Sequence, residues 1–213
     1  VNSALKAREE TGYKDVIIAG SISHRYPIAD GDTKSNASIQ VSKLELQEAT
    51  EEMALLLTNN GCDIILLEMM YRPERMKIIF DIVKKLNIPI WVCFSCRKSD
   101  KGEILSLTDE TVVPFSEMIA ISKEYNFDAW GIMHTSEDIL GECIKMIKAN
   151  FNGPILSYPD TGGWISPNWI FDSIIEPEKF KEKANGWFAL GAQIIGGCCG
   201  TSPDHIRALA TLK

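Results

Sequence analysis

Six short runs rich in apolar and β-branched residues recur along the chain, each followed by a longer stretch with apolar residues at helical spacing. That alternation is the pattern of parallel βα units, because a parallel strand needs a crossover long enough to return it to the same end of the sheet. The runs are 16–21, 63–70, 90–96, 128–134, 154–159 and 193–199. Segments such as VIIAG, IILLE and QIIGG are apolar almost without interruption, which suits strands covered on both faces and not a half-solvated antiparallel sheet. The intervening segments 44–60, 73–86, 113–125, 137–149, 177–190 and 203–212 read as helices. In the first of these Leu44, Ala49, Met53, Leu56 and Leu57 form the expected core stripe, and Asn60-Gly61 supplies the stop. Pro73, Pro177 and Pro203 fall in first helical turns, where a missing N–H costs nothing, and Ser202 stands as N-cap before Pro203.

At 213 residues, with no linker-like stretch or shift in composition, the chain reads as one domain spanning 1–213. Hydrophobic residues make up 45% and charged residues 24%, enough apolar surface to bury a core. A net charge of -7 without a local Lys/Arg run argues against nucleic acid and anionic membranes as partners. No apolar run approaches the roughly 20 residues of a membrane span, and the first residues lack a signal-peptide pattern. Six cysteines are too few for a disulfide scaffold, so reduced thiols and a soluble, cytoplasmic protein are expected.

Two connections are too long to be simple turns, 24–41 and 160–175, and both follow the carboxyl end of a strand, where βα folds place their active sites. The most informative segment is IIGGCCGTSPDHI, 194–206, in which a buried-type strand runs into glycines, two adjacent thiols and a capped helix. Adjacent residues on a regular strand face opposite ways, so both sulfurs can meet one ion only if the strand ends there; Gly196, Gly197 and Gly200 offer the backbone freedom. Thiolates bind zinc, and a catalytic zinc takes three protein ligands with one position left open. His134, closing the strand DAWGIMH at the same end of the fold, is the candidate third ligand beside Cys198 and Cys199. The alternative is that the cysteines pack as small hydrophobes or form a vicinal disulfide, and that His134 caps a helix beginning at Ser136.

Glu68 ends IILLE, where a carboxylate faces either the mouth of the fold, to meet a ligand amine, or a structural ion pair with Arg72 or Arg75. Cys93 and Cys96 spell C-x-x-C but fall on one predicted strand with side chains on opposite faces, so they read as structural, as do Cys62 and Cys143. His24 lies in a long connection where it can touch substrate, and His205 reads as a surface residue. Trp91, Trp130, Tyr158, Trp164 and Trp169 are core or lid residues, with faces able to receive a sulfonium or quaternary ammonium.

These residues resemble the zinc-dependent homocysteine S-methyltransferases over nearly the whole chain: AGSIS, LELQEATEEMALLLTNNGCDIILLE, WVCFSC, YPDTGGW and, most specifically, GGCCGTSPDHIRAL. The resemblance implies a TIM-type (β/α)8 barrel that binds zinc through the adjacent cysteines and a third cysteine on an earlier strand, in a segment written GxNC. It implies that zinc holds homocysteine as its thiolate while a glutamate ending an LLLE-type strand binds the amine. By position these are Cys198, Cys199 and Glu68. Two departures stand out. GxNC is GIMH here, which puts His134 where a thiolate is expected, and zinc accepts imidazole. No D-G-G/A-M-G-T-like strand occurs before Val16, so only six of eight βα units are expected, an N-terminally truncated barrel or one completed by a partner. The implied reaction moves a methyl group from an activated S-methyl or N-methyl donor to homocysteine, giving methionine. The alternatives are a related enzyme acting on another thiol or selenol, and a non-catalytic structural partner. Small-molecule substrates, zinc and a possible homo-oligomer complete the expectation.

Overall fold

Parallel pairing in chain order organises the protein. The computed structural model describes residues 1–24, 41–107, 111–165, 168–170 and 174–212. The readings placed on the side chains of Trp164 and Trp169, and on most of the first long connection, lie outside the described residues. The elements are α1 (Asn2–Thr11), β1 (Ala19–Ser23), α2 (Lys43–Asn59), β2 (Ile64–Met70), α3 (Pro73–Val83), β3 (Ile90–Phe94), β4 (Cys96–Lys98), β5 (Ile104–Ser106), α4 (Phe115–Ser122), β6 (Ala129–Ser136), α5 (Leu140–Lys148), β7 (Ile155–Asp160), β8 (Gly163–Ile165), β9 (Asn168–Ile170), α6 (Pro177–Leu190), β10 (Ile194–Ile195) and α7 (Pro203–Leu209). Six strands form one sheet in the order β1-β2-β3-β6-β7-β10, each neighbouring pair parallel. This is the wall of a TIM-type barrel with six βα units, and β1 and β10 are its two edges.

One side of the wall carries the main core. Ile65, Leu67, Val92, Phe94, Trp130 and Ile132 point outward from the strands to meet Met76, Ile79, Phe80, Met118, Ile144, Ile147 and Phe180 of the helices. The other side holds a smaller interior cluster, Cys93, Ala129, Met133 and Leu156, with Leu66, Trp91, Tyr158, Ile194 and Cys198 packed on it. The near-continuous apolar runs are explained by these two faces, since both sides of the central strands are buried. A repeated clasp registers the strand starts. The Asp63 carboxylate accepts from the Ile18 N–H at 2.8 Å, and the Asp128 carboxylate accepts from the Ile90 N–H at the same distance.

Several local expectations are corrected. α1 carries no buried residue, so its sequence has no apolar stripe to announce it. It is tied down by polar contacts, Arg8 donating to the Asp63 carboxylate (2.6 Å) and to the Val16 carbonyl (3.0 Å). In α2 the buried residues are Thr50 and Ala54, while Leu44, Met53, Leu55 and Leu56 are exposed, because α2 flanks the edge strand β1 and has α3 as its main helical neighbour. Two antiparallel hairpins, β4-β5 and β8-β9, decorate the carboxyl side of β3 and β7. His205 is buried, not superficial. Its Nδ1 closes a capping box with Ser202, its Nε2 lies 2.7 Å from the Ile175 carbonyl, and its ring meets Phe180 edge-on.

Candidate metal centre

Regular pairing of β10 lasts two residues, but the chain stays beside β7: Gly196 N–H donates to the Ser157 carbonyl (3.0 Å) and Cys198 N–H to the Pro159 carbonyl (3.1 Å). The Cys199 carbonyl accepts from Thr161 N–H at 2.9 Å, so both thiols are delivered to the carboxyl end of the wall on a backbone bonded to the β7 side. Of the three glycines, only Gly200 uses left-handed freedom, with φ +82. A Cβ there would also meet Thr161 Oγ1 at 2.7 Å and the Gly162 nitrogen at 2.9 Å. Gly197 is needed for room beside the Thr201 side chain, and Gly196 has space around it.

His134 reaches the same place through an irregularity. The pairing of β6 with β7 slips between Met133 and Ser136, and His134 takes φ 43, a left-handed conformation that non-glycine residues adopt at an energetic cost and that clusters at functional sites. It is not a helix cap: α5 begins at Leu140, with no side-chain cap. Its Nδ1 lies 2.8 Å and 3.0 Å from the two carboxylate oxygens of Asp160 and 3.9 Å from Cys199 Sγ. The two sulfurs are 3.9 Å apart and unbonded, which removes the vicinal disulfide. One donor atom from each of His134, Asp160, Cys198 and Cys199 lies within 4.8 Å of the others. Asp160 is the member that the sequence reading did not name. The signal was there, since Asp160 is the carboxylate finishing the strand in YPDTGGW, the same argument that singled out Glu68.

The donor set fits a divalent ion of zinc's type. Zinc–sulfur bonds near 2.3 Å in a tetrahedron put two sulfurs about 3.8 Å apart, and imidazole and carboxylate are ordinary zinc ligands. Burial and the nearby Asp160 charge hold the Cys198 and Cys199 thiols above their usual pKa. Such a pocket of thiols and a carboxylate is stabilised by a cation, which reverses the local logic and favours thiolate.

Glu68 sits on the interior side of β2, next to a second irregularity. Pairing with β3 slips between Leu67 and Met70, and Met69 has φ 53. Its carboxylate accepts hydrogen bonds from the Ser21 hydroxyl and, at 3.1 Å, from the Tyr158 hydroxyl. Neither is an arginine, and Arg75 instead donates to the His24 carbonyl at 3.0 Å. His24 is buried edge-on against Tyr71. Cys93 and Cys96 lie in different clusters on opposite sides of the wall, Cys62 and Cys143 are buried, and all six thiols are free.

A parallel βα wall with a thiol, imidazole and carboxylate cluster at the carboxyl ends of its strands defines a barrel-type protein with a candidate metal site. The chain belongs to the homocysteine S-methyltransferase family, whose profile matches residues 1–212. Homocysteine S-methyltransferase 1 of Arabidopsis thaliana is 25% identical over 205 residues, covering 93% of this chain and 61% of that protein. The selenocysteine methyltransferase of Astragalus bisulcatus is 24% identical over 206 residues, covering 92% and 58%. The chain thus spans about three fifths of the length of these relatives. The metallated crystal form of the homocysteine methyltransferase MmuM from Escherichia coli superposes with a TM-score of 0.73 at 21% identity, covering 98% of this chain and 67% of that one, a likeness of fold.

Proposed function

We propose that this protein transfers a methyl group from an activated S-methyl or N-methyl donor to the thiolate of homocysteine, forming methionine, with zinc held by Cys198, Cys199 and His134. The observation that carries this reading is the convergence of those three side chains, with Asp160, at one end of the wall. Bound there, zinc supplies a lowered thiol pKa and a fixed position for the substrate sulfur. The chain's own residues do the rest. The Asp160 carboxylate would be the further ligand beside these three, at the position that a substrate sulfur would take over. Glu68 binds the substrate ammonium with a charge-assisted hydrogen bond.

The selenocysteine methyltransferase among the relatives supports a second reading, transfer to a selenol, whose lower pKa asks less of the metal. We further propose that residues 1–213 are one barrel-type domain and that two more βα units, from the same or another polypeptide, fill the space between β1 and β10. The exposed leucines of α2 and the apolar groove lined by Phe188, Ile195, Ile206, Leu209 and Leu212 flank that space. The deciding experiment for the metal is zinc analysis of thiol-protected protein: about one equivalent is expected. Unchanged zinc in a Cys198→Ala, Cys199→Ala double variant refutes the site, and a panel of homocysteine, selenocysteine and methyl donors separates the two enzymatic readings.

A further inference from the structure

Tyr158 stands two residues before Asp160 on β7, so by the period of a strand the two side chains share the interior face. Its hydroxyl bonds to Glu68 on β2, and β3 and β6 separate those strands in the sheet. The bond therefore crosses the concave interior instead of running along the wall. Beneath it the interior is closed. Gly131 pairs with both Cys93 and Leu156, and a Cβ at Gly131 would meet Leu156 Cβ at 2.5 Å and Cys93 Sγ at 2.9 Å. The buried Cys93 thiol belongs to the cluster on which the same phenol ring packs. From these contacts we propose that Tyr158 is a positioning residue for the substrate amine: with Ser21 it clamps the Glu68 carboxylate across the interior from the thiol end of the site, and so selects amino thiols by the separation of amine and sulfur.

The hydrogen-bond inventory supports the clamp. A carboxylate offers about four acceptor sites, and two hydroxyl donors leave two for an ammonium group. A phenol has one proton to give, and here Glu68 receives it. Burial, the Cys93 thiol and the Glu68 charge keep Tyr158 protonated far above neutral pH, so it remains a donor. Ser21 is exposed on an edge strand, whereas Tyr158 is half-buried on the interior face. Together they turn a flexible carboxylate into a fixed one, so that its separation from the sulfur site is constant and thiols of different chain length are told apart.

The inference rests on the reading of Glu68 as the amine ligand, and the test separates the two. Calorimetric titration of the zinc-loaded full chain compares homocysteine, cysteine and 4-mercaptobutanoate, which keeps the chain length of homocysteine but lacks the amine. Tyr158→Phe is expected to weaken homocysteine about tenfold, to reduce its preference over cysteine, and to leave 4-mercaptobutanoate and zinc content unchanged. Ser21→Ala is expected to act in the same direction, and it carries the test alone if the Tyr158 variant does not fold. Equal weakening of homocysteine and 4-mercaptobutanoate, or no weakening of either, overturns the clamp. If Glu68→Gln weakens homocysteine while neither hydroxyl variant does, only the clamp fails. If Glu68→Gln also has no effect, the amine reading of Glu68 fails with it.

Discussion

His24 should make stability depend on pH in a way that one substitution removes. Burial first, and then the Arg75 and Arg72 charges, depress its imidazole from an ordinary pKa near 6.5 to about 3, and neither ring nitrogen has a hydrogen-bond partner among the described residues. The folded protein therefore keeps His24 neutral, while the unfolded chain takes up a proton as the pH falls through 6.5. Because the unfolded state binds more protons between those values, stability is full above pH 6.5 and declines steadily below it. Integrating the linkage relation from pH 7 to pH 5 gives a loss of about 2 kcal/mol from this one group. The perturbation is His24→Phe, which keeps a flat ring against Tyr71 and cannot be protonated. Urea unfolding of both proteins at pH 7, 6 and 5 isolates the residue, since every other titrating group is common to the two. The wild type should lose about 2 kcal/mol more than the variant over that range. Parallel pH profiles would show that the imidazole finds solvent or a partner in the folded state, and the reasoning from burial would be wrong.

Gly131→Ala should destabilise the protein by about 3 kcal/mol in the same unfolding assay, the upper end for overpacking, because the new methyl meets the Leu156 carbonyl oxygen at 2.9 Å as well as side chains. A loss below about 0.5 kcal/mol would mean β6 and β7 part easily there. Glu68→Gln should cost about 1.5–3 kcal/mol of homocysteine affinity by calorimetry with zinc retained, and loss of zinc would instead place Glu68 at the metal. Supplying the proposed two further βα units should lower binding of a hydrophobic dye, as the exposed Leu44, Leu55, Leu56 and Phe188 become covered; unchanged dye binding counts against that closure.

The wall was legible because its strands are buried on two faces, and uninterrupted apolar runs such as those around Ile65 and Trp130 have no other economical explanation. The cysteine pair was legible for the opposite reason, being polarizable, reactive groups set among glycines where a strand must stop. What stayed hidden depended on neighbours distant in the chain. The bulges that turn His134 and follow Glu68 are slips in register between strands, and no local spacing encodes them. α1 is held by Arg8 and Asp63, 55 residues apart, not by an apolar stripe. The exposed leucines of α2 misled by obeying the right periodicity on a helix that flanks an open edge. His205 looked like a surface residue because its partners, Ile175 and Phe180, belong to the preceding unit.

The four clustered donors are unequally anchored. His134 and Asp160 extend from strands paired on both sides, whereas Cys198 and Cys199 follow a two-residue strand at the rim of the sheet, bonded on one side only. A rim segment of that kind opens locally at a small fraction of the global unfolding free energy. An ion shared by all four residues would act as a rivet between this rim segment and the doubly paired strands, so that losing the ion and releasing residues 194–209 become a single event. Amide exchange in that segment should then report ion occupancy directly, and the protein would sense its own metal supply through the order of its last helix.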